Sequence, residues 1–198
     1  MKTVIKTIIA SALAAIVAAV FVIFSGVFNV SALWEDPSLL REILVTTREA
    51  SIEKHAEGIV TPKLGEAGQI INGFRSYREM CAVCHTPPGQ SDSPIAQGLN
   101  PSPPDLSIAN DHAMNNSEIF WVIKNGIRMT GMPAWGLSHD DAEIWDIVAF
   151  VKALPGIDAE AYRELDKNNQ AGHGHSSSTK INSDNTHMQK NEHGNHAH

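Results

Sequence analysis

Cys81-Ala82-Val83-Cys84-His85 is the most informative stretch of this chain of 198 residues. A histidine directly follows two cysteines in the C-x-x-C-H arrangement, which is the spacing of covalent haem attachment. Each thiol can bond one vinyl group of a porphyrin, and the imidazole of His85 can reach the iron. We therefore predict one covalent haem c on Cys81 and Cys84, with His85 as an axial ligand.

Two other chemistries also use closely spaced cysteines. A structural zinc site needs four Cys or His ligands, whereas Cys81 and Cys84 are the chain's 2 cysteines. A thioredoxin-like redox pair lies beside a βαβ pattern, and the sequence contains no such pattern. Haem attachment is therefore the preferred interpretation.

The segment Gly131-Met132-Pro133 supplies a candidate for the second axial ligand. A methionine thioether raises the potential of haem iron and suits electron transfer. The glycine lets the backbone approach a cofactor closely, and the proline stiffens the loop. Met132 could instead be a core methionine that fills a gap. Met129 is its main competitor, while Met80 is too near Cys81 to reach the opposite haem face.

These residues resemble those of a class I cytochrome c, and the resemblance extends from about Gly65 to Pro155. Gly73 and Tyr77 stand where that family has a glycine and an aromatic residue in its first helix. The resemblance implies that Gly73 allows a close crossing of the last helix. It also implies that the carbonyl of Pro104, in a Pro-x-Leu element, accepts a hydrogen bond from Nδ1 of the haem-ligating histidine, here His85.

Hydrophobic periodicity agrees with a helical fold. Apolar residues recur at helical spacing over 69–80 and 140–154, and a shorter helix is predicted over 117–124 with Asn116 or Ser117 as its cap. Residues 86–110 hold six prolines and are predicted to form an extended loop. No stretch alternates as a strand would. We predict an all-α, cytochrome c-like helical domain around one covalent haem, preceded by a single transmembrane helix.

Residues 1–32 are predicted to form an N-terminal membrane anchor. Uncharged, mainly apolar residues run from Lys6 to Glu35, which is longer than the core of a typical signal peptide and long enough to span a bilayer. Val30-Ser31-Ala32 nevertheless has the small residues of a cleavage site, so a cleaved signal remains an alternative. The lysines before the apolar run place the rest of the chain outside the bacterial cytoplasmic membrane, on the periplasmic side.

Three further segments follow the anchor. We predict a helical stalk over 33–64, a cytochrome c domain over 65–165 and a disordered, His-rich tail over 166–198. Imidazoles in such tracts bind zinc, nickel or copper, although the irregular spacing of these histidines favours a solvated tail without a metal role. The tail histidines are His173, His175, His187, His193, His196 and His198.

The predicted function is transfer of single electrons between larger redox proteins. A dehydrogenase or quinol-oxidising complex would be the donor, and an oxidase or reductase the acceptor. Trp121 and Arg128 are candidate neighbours of the haem propionates. The alternatives are a haem enzyme or sensor with an open sixth site, and a metal-handling protein that works through its tail. Nothing in the sequence indicates nucleic-acid binding, and the formal net charge is −7.

Overall fold

The computed structural model describes residues 1–108 and 114–170, and these residues form helices and loops without a strand. The predicted all-α class is confirmed. The α-helices are α1 (Lys2–Ser25), α2 (Ser38–Ala56), α3 (Ala67–Ser76), α4 (Pro94–Gln97), α5 (Asn116–Asn125), α6 (Asp141–Ala153) and α7 (Ala159–Gln170).

The close crossing of α3 and α6 forms the centre of the fold. Gly73 lies at the crossing, where an added Cβ atom would overlap the carbonyl oxygen of Asp146 and lie 2.8 Å from the Cβ atom of Phe150. Beside this contact, the rings of Phe74 and Phe150 meet edge to face at 5.5 Å. Both phenylalanines are fully buried. A glycine is therefore required at residue 73 because the two backbones touch there.

Two helices that help to build the site begin at well-formed caps. The side chain of Asp140 accepts hydrogen bonds from the backbone of Ala142 and Glu143 at the start of α6. At α5 the cap is Asn115, and not Asn116 or Ser117 as the sequence analysis predicted. Asn115 accepts from the backbone N–H of Glu118, whose carboxylate accepts from the backbone of Asn115. This reciprocal pair satisfies two helix-terminal N–H groups and so selects the earlier residue.

The second half of α2 packs against the helical domain. Ile52 and Ala56 are buried on the face of α2 that meets α5. Ile59 and Leu64, in the following segment, contact the cluster formed by α5 and α6 side chains. The segment predicted as a stalk thus contributes apolar side chains to the domain core.

Helix α7, the last described helix, packs against α3 and the turn that follows it. Tyr162 of α7 packs edge to face on Phe74 with ring centroids 5.4 Å apart. Arg78 forms an ion pair with Asp166 at 3.2 Å. Helix α7 ends at Gln170. It therefore extends beyond residue 165, where the sequence predicts the end of the domain.

Two other segments bear on the predictions. The proline-rich loop over 86–110 is not wholly extended, because Ser93 caps the short helix α4 by accepting a hydrogen bond from Ala96. Helix α1 is exposed along its whole length and is the one helix in the described part of the chain long and apolar enough to cross a membrane. By length and composition it fits either an anchor or a signal sequence.

Candidate cofactor site

A mainly apolar cavity of about 510 Å³ lies between α5, α6, the segment 80–85 and the proline-rich loop. Three parts of the chain predicted to contact haem meet there: the C-x-x-C-H segment, the Pro104 element and the Met132 loop. Arg48 of α2 also reaches its wall. The lining residues used below are Arg48, Met80, Cys81, Cys84, His85, Leu99, Pro104, Asp105, Met114, Ile123, Met132, Ile147 and Lys152.

A single turn of π-helix, Tyr77–Cys81, presents the cysteines to the cavity. It continues α3, and the backbone N–H groups of Cys84 and His85 both donate to the carbonyl of Cys81, at 3.0 and 2.8 Å. The two thiols are free and half-buried. Burial raises the pKa of the Cys81 thiol to about 12, with a further contribution from Cys84.

The orientation of His85 is set by two hydrogen bonds. Its Nδ1 lies 2.9 Å from the carbonyl oxygen of Pro104. Since that oxygen can only accept, Nδ1 carries the proton and Nε2 is left with the lone pair that a metal requires. The hydroxyl of Tyr77 donates to the backbone carbonyl of His85 at 2.6 Å and so fixes the position of the backbone at His85. Burial raises the pKa of Tyr77, which keeps its hydroxyl protonated as a donor.

Two hydrogen bonds and a close backbone contact restrict the conformation of the loop that carries Met132. Its backbone N–H donates to Oγ1 of Thr130 at 3.1 Å, and its carbonyl accepts from the N–H of Ile127 at 3.2 Å. Gly126, with φ of 66°, lies directly behind the loop. An added Cβ atom there would be 2.7 Å from the carbonyl oxygen of Met132. The loop therefore approaches the end of α5 at a distance that only glycine permits.

The other methionines divide into two groups. Met129 does not line the cavity; its residue surface is 84% exposed and its φ is 62°. Met80 and Met114 do line the cavity together with Met132. Met129, which the sequence analysis named as the main alternative to Met132 as axial ligand, therefore lies outside the cavity. Met114, which lines the cavity, was overlooked. Nothing in the local sequence around Met114 distinguishes it from a loop methionine.

The structure does not bring Trp121 and Arg128 into this cavity. Trp121 faces α2, where its ring lies 5.5 Å from that of His55. Arg128 lies exposed in the turn after α5. The arginine that does reach the cavity is Arg48, which the sequence analysis did not single out. The sequence pattern that could have identified Arg48 is its position on the same helical face as Ile52 and Ala56. A charged residue there interrupts an apolar stripe.

The residues present fit a haem. The walls are predominantly apolar, as a porphyrin requires, and include Leu99, Ile123 and Ile147. Two thiols, one imidazole with its Nδ1 already engaged, and thioether sulfurs supply the donor set of a c-type site. No cluster of three or more His, Cys, Asp or Glu residues occurs within 1–108 and 114–170. The tail histidines proposed for zinc, nickel or copper, from His173 to His198, lie outside the described residues.

Most of the residues of this site lie in a part of the chain that is similar to a known sequence family. Residues 68–151 match the model of the cbb3-type cytochrome c oxidase subunit III family. No curated protein matches the chain. Among solved structures, the chain is similar to a chain of the reducing HAO-like protein complex of Kuenenia stuttgartiensis, with 19% identity and a TM-score of 0.37. That alignment covers 48% of this chain and 45% of the other.

Proposed function

We propose, from the match of residues 68–151 to a c-type cytochrome family model, that the protein is a membrane-anchored carrier of single electrons. A domain of this type implies a haem cofactor. In the proposal one haem c is bonded to Cys81 and Cys84, and its iron is coordinated by His85 and Met132. The carrier receives electrons from a dehydrogenase or a quinol-oxidising complex and passes them to an oxidase or reductase.

The observation that carries the proposal is the convergence of these four side chains on one apolar cavity. Cys81, Cys84 and His85 are adjacent in sequence, but Met132 arrives from a separate loop beyond α5. The contact of 2.9 Å between Nδ1 of His85 and the carbonyl of Pro104 supports the role of Nε2 as the metal-binding nitrogen.

Haem supplies a couple that changes by one electron. The protein residues hold the site in one geometry during that change. Tyr77 restrains the backbone carbonyl of His85, and Pro104 restrains its imidazole. Thr130 and Gly126 restrain the Met132 loop. Little rearrangement is then needed between the two oxidation states, and the apolar walls exclude water from the iron.

We further propose that α1 holds the domain at the outer face of the bacterial cytoplasmic membrane. The apolar composition and exposure of α1 support an anchor, and the lysines before it favour export of the rest of the chain. A tethered carrier meets its partners at a raised effective concentration and does not depend on tight docking.

The cysteine assignment is tested by Cys81→Ala and Cys84→Ala in the full chain. Both variants should lose most haem staining after denaturing electrophoresis, because one thioether holds the porphyrin less securely than two. The wild-type chain should stain strongly. Full staining of both variants would contradict covalent attachment through this pair.

The sixth ligand is tested by three substitutions: Met132→Leu, Met114→Leu and Met129→Leu. Met132→Leu should keep covalent haem, lose the weak long-wavelength band of Met-coordinated ferric haem, and bind carbon monoxide rapidly in the ferrous form. Met114→Leu and Met129→Leu should retain that band. If Met114→Leu abolishes the band and Met132→Leu preserves it, Met114 is the ligand. If the wild-type protein lacks the band and binds carbon monoxide, the protein is an open-site haem enzyme or sensor.

A further inference from the structure

The side chain of Arg48 has an unusual environment for a surface arginine. It lines the cofactor cavity, and its Nε atom is buried and has no hydrogen-bond partner among residues 1–108 and 114–170. About a third of the side chain, 33%, remains exposed, so Arg48 contacts both the cavity and solvent. Its ion pair within the structure is with the adjacent Glu49, at 3.5 Å.

That ion pair leaves the buried donor unsatisfied. Glu49 is 64% exposed and contacts only the terminal Nη2 atom of Arg48, and surface pairs of this kind contribute little to stability. A buried N–H of a charged group without an acceptor is costly. The acceptor that Arg48 lacks should therefore come from a molecule that occupies the cavity.

The charge and shape of that molecule can be inferred from the lining. A guanidinium presents a planar set of donors that matches a carboxylate. The carboxylate of Asp105, which also lines the cavity, is already engaged by the backbone N–H of Ser107 at 2.8 Å. Lys152, the remaining cation of the described lining, is exposed on α6. Haem carries two propionate carboxylates at one edge, and these provide the acceptors that Arg48 requires.

We propose that Arg48 binds a haem propionate and that α2 is thereby part of the haem site. This inference rests on the proposed function, since it requires haem in the cavity. It adds a residue that lies outside the matched segment 68–151. Because α2 follows the membrane segment, the ion pair joins the cofactor to the helix nearest the anchor. Burial of Ile52 and Ala56 on the same face holds that helix in place.

The consequence can be measured at the iron. A positive charge beside a propionate disfavours the ferric state, which carries one more positive charge than the ferrous state. Removal of the Arg48 charge should therefore lower the reduction potential. Removal of its hydrogen bond should also shift the propionate bending mode in the resonance Raman spectrum, a readout that a purely structural role would leave unchanged.

The test compares Arg48→Met, Arg48→Lys and Arg41→Met in the full-length haem protein. Arg48→Met keeps an apolar stem and removes the charge, so the potential should fall and the propionate mode should shift. Arg48→Lys keeps the charge, so its potential should stay near that of the wild type. Arg41→Met makes the same charge change at an exposed site on α2, so neither readout should change.

An unchanged potential and an unchanged propionate mode in Arg48→Met would overturn the inference and would indicate that water satisfies Nε. Equal shifts in Arg48→Met and Arg41→Met would also overturn it, because the effect would then be one of net charge. If Arg48→Met does not accumulate, Arg48→Gln is measured in the same way. Failure of the proposed function would be seen separately, as a wild-type protein without covalent haem.

Discussion

Gly73→Ala should destabilise the protein strongly although it adds only one methyl group. In the structure the new Cβ atom would overlap the carbonyl oxygen of Asp146 and lie 2.6 Å from its carbonyl carbon. Ordinary van der Waals contact begins at 3.4 Å. The obstructing atoms belong to the backbone of α6 and cannot rotate away, so α3 and α6 must separate.

The magnitude follows from two opposing effects. Overpacking of a core costs about 1–3 kcal/mol, and a collision with backbone belongs at the upper end of that range. Alanine recovers up to about 1 kcal/mol because it favours a helix over glycine. We therefore expect a net loss of about 2 kcal/mol or more. For a domain of this size each kcal/mol lowers Tm by about 4–8 °C, so the expected fall is about 10 °C.

Thermal unfolding of the haem-loaded protein, followed by circular dichroism and haem absorbance, provides the assay. Gly68→Ala is the matched control, because it makes the same change in the same helix with nothing within 4 Å of the added atom. Its Tm should equal or slightly exceed that of the wild type. If Gly73→Ala melts within about 2 °C of Gly68→Ala, against the shift expected above, the helices are not in backbone contact and the reasoning fails.

Three further predictions concern a cap, a buried hydroxyl and the N-terminal helix. Asp140→Ala removes the acceptor for two N–H groups of α6 and should cost about 1 kcal/mol in denaturant unfolding, whereas Asp140→Asn should cost less. Tyr162 is buried, and its hydroxyl has no partner in the described structure. Burial is the main cause, and the Asp166 carboxylate the second, of a rise in the pKa of Tyr162 from 10.0 to about 12. The unfolded chain therefore releases this proton first, so stability should fall as pH rises from about 10 to 12. Tyr162→Phe should make that fall smaller but not abolish it, because burial raises the pKa of Tyr77 as well; an identical pH profile would contradict the assignment. Replacement of residues 1–32 by a cleavable export signal should yield a soluble haem protein, while the native chain should stay with membranes after carbonate washing; a mature N-terminus at Leu33 would instead identify the segment as a signal.

Interactions between near neighbours in the chain were predictable from the sequence. The spacing of Cys81, Cys84 and His85 indicates its chemistry without any knowledge of the fold, because all three lie on about one turn of backbone. The apolar stripe of α6 likewise depends on local periodicity. Even there, the cap of α5 was predicted one or two residues too late, since several polar side chains in succession could have accepted the same N–H groups.

Contacts between distant segments required the tertiary structure. The sequence could propose that Gly73 lies at a helix crossing by resemblance, but the overlap with Asp146 depends on the angle and distance between α3 and α6. Likewise, Met129 and Met132 are near neighbours of the same residue type, yet of the two Met132 lines the cavity and Met129 is exposed. Arg48 reaches that cavity only because Ile52 and Ala56 bury their face of α2 against α5. Periodicity could place Arg48 on that face of α2, but which part of the domain the face would meet depended on the packing of the whole chain.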